Sequence, residues 1–488
     1  MNGDGSMIKL EELLLGFADP VEAPGLTIRG LALDCRHIQP GDAFVAIAGR
    51  SGHGMAYLEQ ALAAGAVAVL HDGSRQVPAG LDVPVIAVAR LDERLAELAR
   101  RMWGDAGTMD LVAVTGTNGK SSVAWLLAQA LDGAMIGTLG VGRPGSHRPL
   151  SLTTPDVLSL HRLLAQLREQ GINRVVLEAS SHALDQNRLA GLVFSSVIFT
   201  TLGHDHLDYH GDMSAYKAAK AMLFQDYASL RQIINIDDAF GAELALRLAA
   251  SPGLVRYGIQ GNGKADVAGR VLAASPDGLN VEIQLDSGLV ETSSSLIGRI
   301  NLYNLLIVAA ELDARGFTPA QIRSRIEALM AVPGRMQTVA AEHGPAVVID
   351  YAHSPDALEN VLSSLIELSP GSLVCVFGCG GDRDRAKRPI MGRVAESLAD
   401  RVILTDDNPR HEESLAIIRD IQAGMRHPAR AVVIRDRAEA IRRALHEATA
   451  DDVVLIAGKG HETTQQLGDQ YQPFSDEAVA RAALEACA

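Results

Sequence analysis

From about Met109 onward, short apolar runs alternate with amphipathic stretches. Leu111 to Val114, Arg174 to Glu178, Ser196 to Thr200 and Gln232 to Ile236 are apolar runs too short for helices, and they predict buried parallel strands. Helical periodicity lies between them, as in Leu158 to Glu169 and Ala215 to Tyr227. Such alternation predicts a doubly wound α/β sheet. Asp266 to Leu296 is richer in strand patterns and predicts an antiparallel addition at the sheet edge, followed by a helix over Asn301 to Leu312.

From about Gly334 the alternation repeats. Ala346 to Ile349, Leu373 to Phe377, Arg401 to Leu404, Ala431 to Ile434 and Asp452 to Ile456 are each apolar. Each runs into a polar loop: Asp350 to His353, Gly378 to Arg383, Asp406 to Arg410, Asp436-Arg437 and Gly458 to Glu462. Parallel sheets bind ligands beyond the carboxyl ends of their strands, so five such loops in phase predict one functional face. Before about Thr108 the pattern is mixed. Phe44 to Ile47 and Ala66 to Leu70 predict strands, Met55 to Ala64 a short helix, and Leu33 to Asp42 a polar loop.

Composition adds bounds. A chain of 488 residues should hold roughly three domains. A net charge of −15 argues against a general nucleic-acid or anionic-membrane surface, though not against a local basic pocket. The four cysteines, Cys35, Cys375, Cys379 and Cys487, make no disulfide framework, and Cys375 and Cys379 read as buried thiols. Met1 to Met7 lacks the basic and apolar regions of a signal peptide, and no apolar run reaches about 18 residues. The expectation is a cytoplasmic monomer with no nucleic-acid or membrane partner.

The chemistry centres on Thr115-Gly-Thr-Asn-Gly-Lys-Ser-Ser122. A strand precedes it and a helix follows. Gly116 and Gly119 allow the backbone to approach a ligand, and Ser121 and Ser122 open the helix, whose outward N–H groups attract phosphate. Lys120 adds a point charge, and the Ser121 hydroxyl can reach a phosphate-bound Mg²⁺. The spacing is looser than the strict Walker pattern, because Val114 stands where its first glycine would be. Glu178 ends an apolar strand, where it could hold Mg²⁺ or simply cap the next helix. His204-Asp-His-Leu-Asp-Tyr-His210 admits a zinc reading or a hard-ligand Mg²⁺ reading. Lys217 and Lys220 share a helix, a placement usual for solvated lysines.

Together these strings resemble the Mur ligase family of ATP-dependent peptidoglycan-precursor synthetases. The resemblance rests on Thr115 to Ser121, Glu178-Ala-Ser-Ser-His182, Asp205 to His210, Ala218-Ala-Lys220, Asp350-Tyr-Ala-His-Ser-Pro355, Gly378 to Asp384 and Gly458 to Glu462. It implies three α/β domains: a smaller mixed UDP-binding domain over 1–108, a central P-loop ATPase with a parallel sheet over 109–333, and a Rossmann-like amino-acid-binding domain over 334–488. It implies ATP and Mg²⁺ as requirements, UDP-MurNAc-L-Ala-D-Glu and meso-diaminopimelate as substrates, and an acyl-phosphate intermediate.

The resemblance also distributes roles. Gly116, Thr117, Asn118, Gly119, Lys120, Ser121 and Ser122 would hold ATP, with Asn304, Arg335 and Asp350, and Tyr351 beside them. Glu178, His206 and Ser121 would face Mg²⁺, and Lys220 matches a lysine that this family carbamylates. Thr153, Thr154, Ser180, Gln186 and Arg188 match positions holding the UDP-MurNAc-dipeptide. Asp34-Cys-Arg36 stands where relatives have Asp-Ser-Arg, so Cys35 replaces a hydroxyl donor, and Ser51-Gly-His53 replaces Asp-Gly-His. Asp407-Asn-Pro-Arg410 carries the arginine that accompanies meso-diaminopimelate, with Asn408, Arg383, Gly458 and Glu462 completing that pocket. The alternatives are a lysine-adding relative, a folylpolyglutamate synthetase-like ligase, a nucleotide- or UDP-sugar-binding regulator, and a metal-dependent hydrolase on the histidine cluster.

Overall fold

The computed structural model describes residues 7–18, 24–49, 52–259, 264–339 and 344–487. The reading of Met1 to Met7 as no signal peptide therefore falls mostly outside the described residues, and the substituted Ser51 falls wholly outside them. The chain divides into two compact units, one of Met1–Thr115, Asp132–Val197 and Ala215–Leu230, the other of Gly116–Leu131, Ile198–Ser214 and Arg231–Ala488.

In the first unit a four-stranded parallel sheet runs in the order Gly30–Ala32, Asp42–Ala46, Ala68–His71, Val85–Ala87. Its two inner strands are buried along their whole length, apolar except for Asp42 at the start of one and His71 at the end of the other. Helix Leu91–Trp103 packs Leu91, Leu95, Leu98 and Met102 inward at helical spacing, with acids in its first turn and arginines in its last. Sequence periodicity missed this helix and both outer strands; at three residues each, those strands are too short to show a period. The same unit holds Arg174–Glu178 between two parallel partners, Asp110–Thr115 and Ala134–Gly137.

In the second unit, helix Lys120–Ala130 follows the glycine loop. Strands Ser229–Asn235, Leu254–Gly258 and Val267–Ser275 are parallel in turn. Gly278–Leu285 and Gly288–Ser294 then add antiparallel to the edge, as the sequence pattern predicts. Helix Ile300–Ala314 is buried almost all round and packs on Lys120–Ala130.

The same unit carries a six-stranded sheet in the order Gln337–Val339, Ala346–Asp350, Val453–Ala457, Leu373–Phe377, Arg401–Leu404, Val432–Val433. All pairs but the first are parallel. Alternate residues face two separate cores: Val348, Cys375, Phe377 and Leu455 on one side, Val347, Val374, Val376 and Ile456 on the other. Burial pushes the Cys375 and Cys379 thiols up to about 12, so both are inert packing groups.

Two buried arginines brace this sheet. Arg437 has no exposure, and it pairs with Asp476 at 2.7 Å and donates to Ala457 O. The Asp436-Arg437 loop is therefore not part of the expected functional face: Asp436 caps helix Arg437–Glu447, and Arg437 faces inward. Arg388, also without exposure, is held by Glu412 at 2.7 Å and Asp420 at 2.9 Å, and it donates to Gly380 O. Its hydrogen bond to Glu412 is the largest influence holding that carboxyl down at about 2, against an ordinary 4.5. Because the folded pKa is depressed, this stabilisation is present above the ordinary glutamate value and is lost as pH falls toward about 2. Glu412→Gln should cost about 3 kcal/mol at neutral pH, with Arg388 left short of charge, and should flatten the acid limb of a Tm-against-pH curve. An acid limb identical to wild type would contradict this pairing.

Candidate active site

The glycine loop begins after Thr115. Gly116 has φ +151°, and a Cβ there would lie 1.9 Å from Thr200 Oγ1, so no side chain fits. Thr200 Oγ1 donates to Asn118 O at 2.6 Å, and Thr117 N donates to Thr201 O at 2.7 Å. Gly119, at φ +87°, is the residue before the first turn of Lys120–Ala130. Lys120 Nζ donates to Gly116 O and Thr117 O, both at 2.9 Å. The loop is thus a backbone cradle opening a helix, with an ammonium laid across it.

A cavity of about 260 Å³ lies against this loop, lined among others by Asn118, Gly119, Thr200, Asn235, Tyr303 and Asn304. A smaller one brings Asn118, Gly119, Ser122 and Asn304 together with Arg335 and Asp350. Sequence-distant residues of the expected nucleotide set therefore share one space. Asp350 accepts from Met336 N and Ala352 N, both at 2.7 Å, so it pins the segment carrying Arg335. Burial raises its pKa, with Arg335 opposing. The Arg335 guanidinium lies 4.4 Å from the Tyr351 ring centre, and its buried Nε has no partner among the described residues.

Beyond Tyr351 the loops at the carboxyl ends of adjacent strands meet. The Tyr351 hydroxyl is pushed up by burial first, then by Glu462 and Asp407, against Arg335 and Arg383. Asp407 and Gly458 touch closely: a Cβ on Gly458 would lie 2.7 Å from Asp407 Oδ2. Asn408 donates to Glu462 at 2.9 Å. Arg410 has φ +52°, and its Nη1 donates to Gly381 O at 2.6 Å and its Nε to Gln466 Oε1 at 3.2 Å. Nη2 has no partner among the described residues. Arg383 is exposed and unpaired among them. Asp407, Asn408, Arg410, Gly458 and Glu462 are brought together, with Arg383 beside Gly380. Sequence reasoning missed Gln466, of hairpin Thr464–Leu467 and Gln470–Pro473, and Lys459, which pairs with Glu462 at 2.7 Å.

In the other unit, Glu178 is 1% exposed; Thr138 N donates to it at 2.7 Å and Thr138 Oγ1 at 3.2 Å. Glu178 does not cap the next helix: Ser180 does, donated to by Ala183 N. Thr154 Oγ1 donates to Glu178 O at 2.6 Å and lies 3.2 Å from Ser180 Oγ, and Thr153 meets Thr138 at 3.1 Å. Arg188 donates to Thr154 O and Gln186 Oε1, both at 2.7 Å. Thr153, Thr154, Ser180, Gln186 and Arg188 thus form one polar cluster around the Glu178 strand end. Thr138 was invisible in sequence, because its partner lies 40 positions away.

Lys220 is 1% exposed, with its ammonium 4.5 Å from the Tyr216 ring centre, not on a solvated face. Asp34 caps the short turn Cys35–His37 and pairs with Arg36, while Cys35 Sγ lies 3.4 Å from Gln60 Oε1. In the Gly116 unit, His206 is exposed, has φ +55°, and its Nε2 lies 3.6 Å from Asp205 Oδ2. Among the described residues no group of three or more His, Cys, Asp and Glu could hold a metal ion. No helix among the described residues is long and apolar enough to cross a membrane.

A phosphate-type cradle beside a second site built from parallel-strand loops suits a nucleotide-dependent enzyme. Residues 27–103 match the Mur ligase family catalytic domain, 114–312 the Mur ligase middle domain, and 334–460 the Mur ligase glutamate ligase domain. The chain belongs to the Mur ligase family. It is 45% identical to a UDP-N-acetylmuramoyl-L-alanyl-D-glutamate--2,6-diaminopimelate ligase of Alkalilimnicola ehrlichii, covering 98% of this chain and 99% of that protein. It is 46% identical to a protein of the same description from Xylella fastidiosa, over 96% of both. A solved structure of that description matches with TM-score 0.68 and 33% identity, over 99% of each chain.

Proposed function

We propose that this protein adds meso-diaminopimelate to UDP-MurNAc-L-Ala-D-Glu with consumption of ATP, in cytoplasmic peptidoglycan-precursor synthesis. The observation that carries the proposal is the pocket around Arg410. A guanidinium fixed through Nε and Nη1, with Nη2 to spare, suits a carboxylate, and Glu462 nearby suits an ammonium. Those are the two charges on the distal carbon of diaminopimelate. The domains would be the three expected, 1–108, 109–333 and 334–488.

The chemistry follows from the groups in place. An acceptor carboxylate oxygen of D-Glu attacks the γ-phosphorus of ATP, and ADP leaves. The amine of diaminopimelate then attacks the acyl carbon, and phosphate departs from the tetrahedral intermediate, carrying the carboxylate oxygen with it. Lys120 and the N–H groups of Gly116 to Ser122 would bind the phosphates and stabilise charge on the moving phosphoryl group. Arg335, with a buried unpaired Nε, is suited to the same phosphates, while Asn304 and Asp350 line their cavity. Thr153, Thr154, Ser180, Gln186 and Arg188 would hold the UDP-MurNAc-dipeptide, with Asp34 and Cys35 toward the uridine.

The expected Mg²⁺ donors are the Ser121 hydroxyl, Glu178, His206 and Lys220 as its carbamate, an oxygen-rich set that suits a hard cation. Mg²⁺ would supply charge neutralisation on the phosphates. Thr138 fixes the Glu178 carboxylate in advance.

Two outcomes test the reading. Arg410→Ala should raise the KM for meso-diaminopimelate about 100-fold while leaving that for ATP within about threefold. Equal effects on both substrates would remove the specificity argument. Lys220→Ala should abolish turnover, and short carboxylates in the assay should restore part of it. A fully active Lys220→Ala enzyme would end the carbamate role.

A further inference from the structure

Lys459 has no exposure to solvent, and its ammonium donates to Glu462 Oε2 at 2.7 Å and to Asn408 Oδ1 at 3.0 Å. Asn408 Nδ2 donates to the same glutamate oxygen at 2.9 Å. Oε2 is doubly engaged, whereas Oε1 has no side-chain partner among the described residues. A buried ammonium persists only where a carboxylate faces it. Here that carboxylate is the one assigned above to the incoming distal ammonium.

The charge balance of the pocket follows. Gly380 lies against both guanidinium side chains, its Cβ position 2.9 Å from Arg410 Nη1 and 3.6 Å from Arg383 Cγ. Asp407 meets Gly458 on the other side. Lys459 is thus the cation that engages Glu462 directly, at 2.7 Å, among the described residues. An incoming side chain that carries an ammonium alone, as in lysine, meets a carboxylate whose charge Lys459 already balances. One that carries an ammonium and a carboxylate adds no net charge and brings the anion Arg410 can take.

We propose that Lys459 is a specificity-determining residue: by neutralising Glu462 it denies a full negative charge to a lone ammonium and makes recognition depend on the distal carboxylate. The inference rests on the reading of the Arg410 pocket given above. Lys459 does this without touching the substrate, since it lies behind Glu462 with no exposed surface. Its removal need not undo Asn408, whose Oδ1 also accepts from Gln466 N at 2.9 Å.

The test is kcat/KM on the full chain with ATP, Mg²⁺ and UDP-MurNAc-L-Ala-D-Glu, for meso-diaminopimelate and for L-lysine, in wild type and Lys459→Met. The variant should narrow the preference for meso-diaminopimelate by about tenfold or more, a ratio that general loosening would leave alone. If Lys459→Met does not fold, wild type decides with 2-aminopimelate, which lacks only the distal ammonium. It should lose about tenfold or less against meso-diaminopimelate, and lysine, lacking the distal carboxylate, at least about 100-fold. An unchanged ratio in a folded variant, or 2-aminopimelate as poor as lysine, overturns the inference alone. No turnover of meso-diaminopimelate by wild type would overturn the reading of the pocket and the inference with it.

Discussion

A parallel strand cannot return directly to its neighbour, so every strand of a parallel sheet ends on the same edge. The chemistry in the second unit depends on that constraint. Asp350, Gly378, Thr405 and Gly458 follow four neighbouring strands, and their loops are in contact because the strands are in register. Gly458 meets Asp407, Gly460 meets Tyr351, and Gly381 meets the backbone of Pro409. Glycine recurs there because the loops approach at backbone distance. Gly458, at φ +115°, holds a backbone conformation that side chains rarely adopt.

Close approach of so many polar loops raises a second demand, the compensation of buried charge. Arg388 is covered by Glu412 and Asp420, Arg437 by Asp476, and Lys459 by Glu462. The first two pairs brace the floor of the sheet edge, where Arg388 also holds Gly380 O. The third is different, because Glu462 remains partly exposed and sits in the pocket itself. Structural pairing and substrate recognition there share one carboxylate. Arg410 shows the same economy, with two donors used to fix its own plane and a third left over.

Most of the fold was legible because its signals are local. The apolar runs of the six-stranded sheet and the glycine loop before Lys120 need only a window of a few residues, and both stand as read. The meander after Val267 was legible for the same reason. What escaped was nonlocal or too short. Gly30–Ala32 and Val85–Ala87 carry no measurable period. Arg437 looked like a loop cation because Asp476 lies 39 positions away. Thr138, Gln466 and Lys459 owe their roles to partners on other elements.

The central claim is that a carboxylate of the dipeptide is activated by phosphorylation and then captured by the amine of diaminopimelate. The most direct test starts from UDP-MurNAc-L-Ala-D-Glu labelled with ¹⁸O in the D-Glu carboxylates. Turnover with ATP and meso-diaminopimelate should release phosphate carrying one ¹⁸O atom for each tripeptide formed, because the bond broken last is between the acyl carbon and the transferred oxygen. Phosphate free of label, with its fourth oxygen drawn from water, would mean that ATP is merely hydrolysed and would contradict the account.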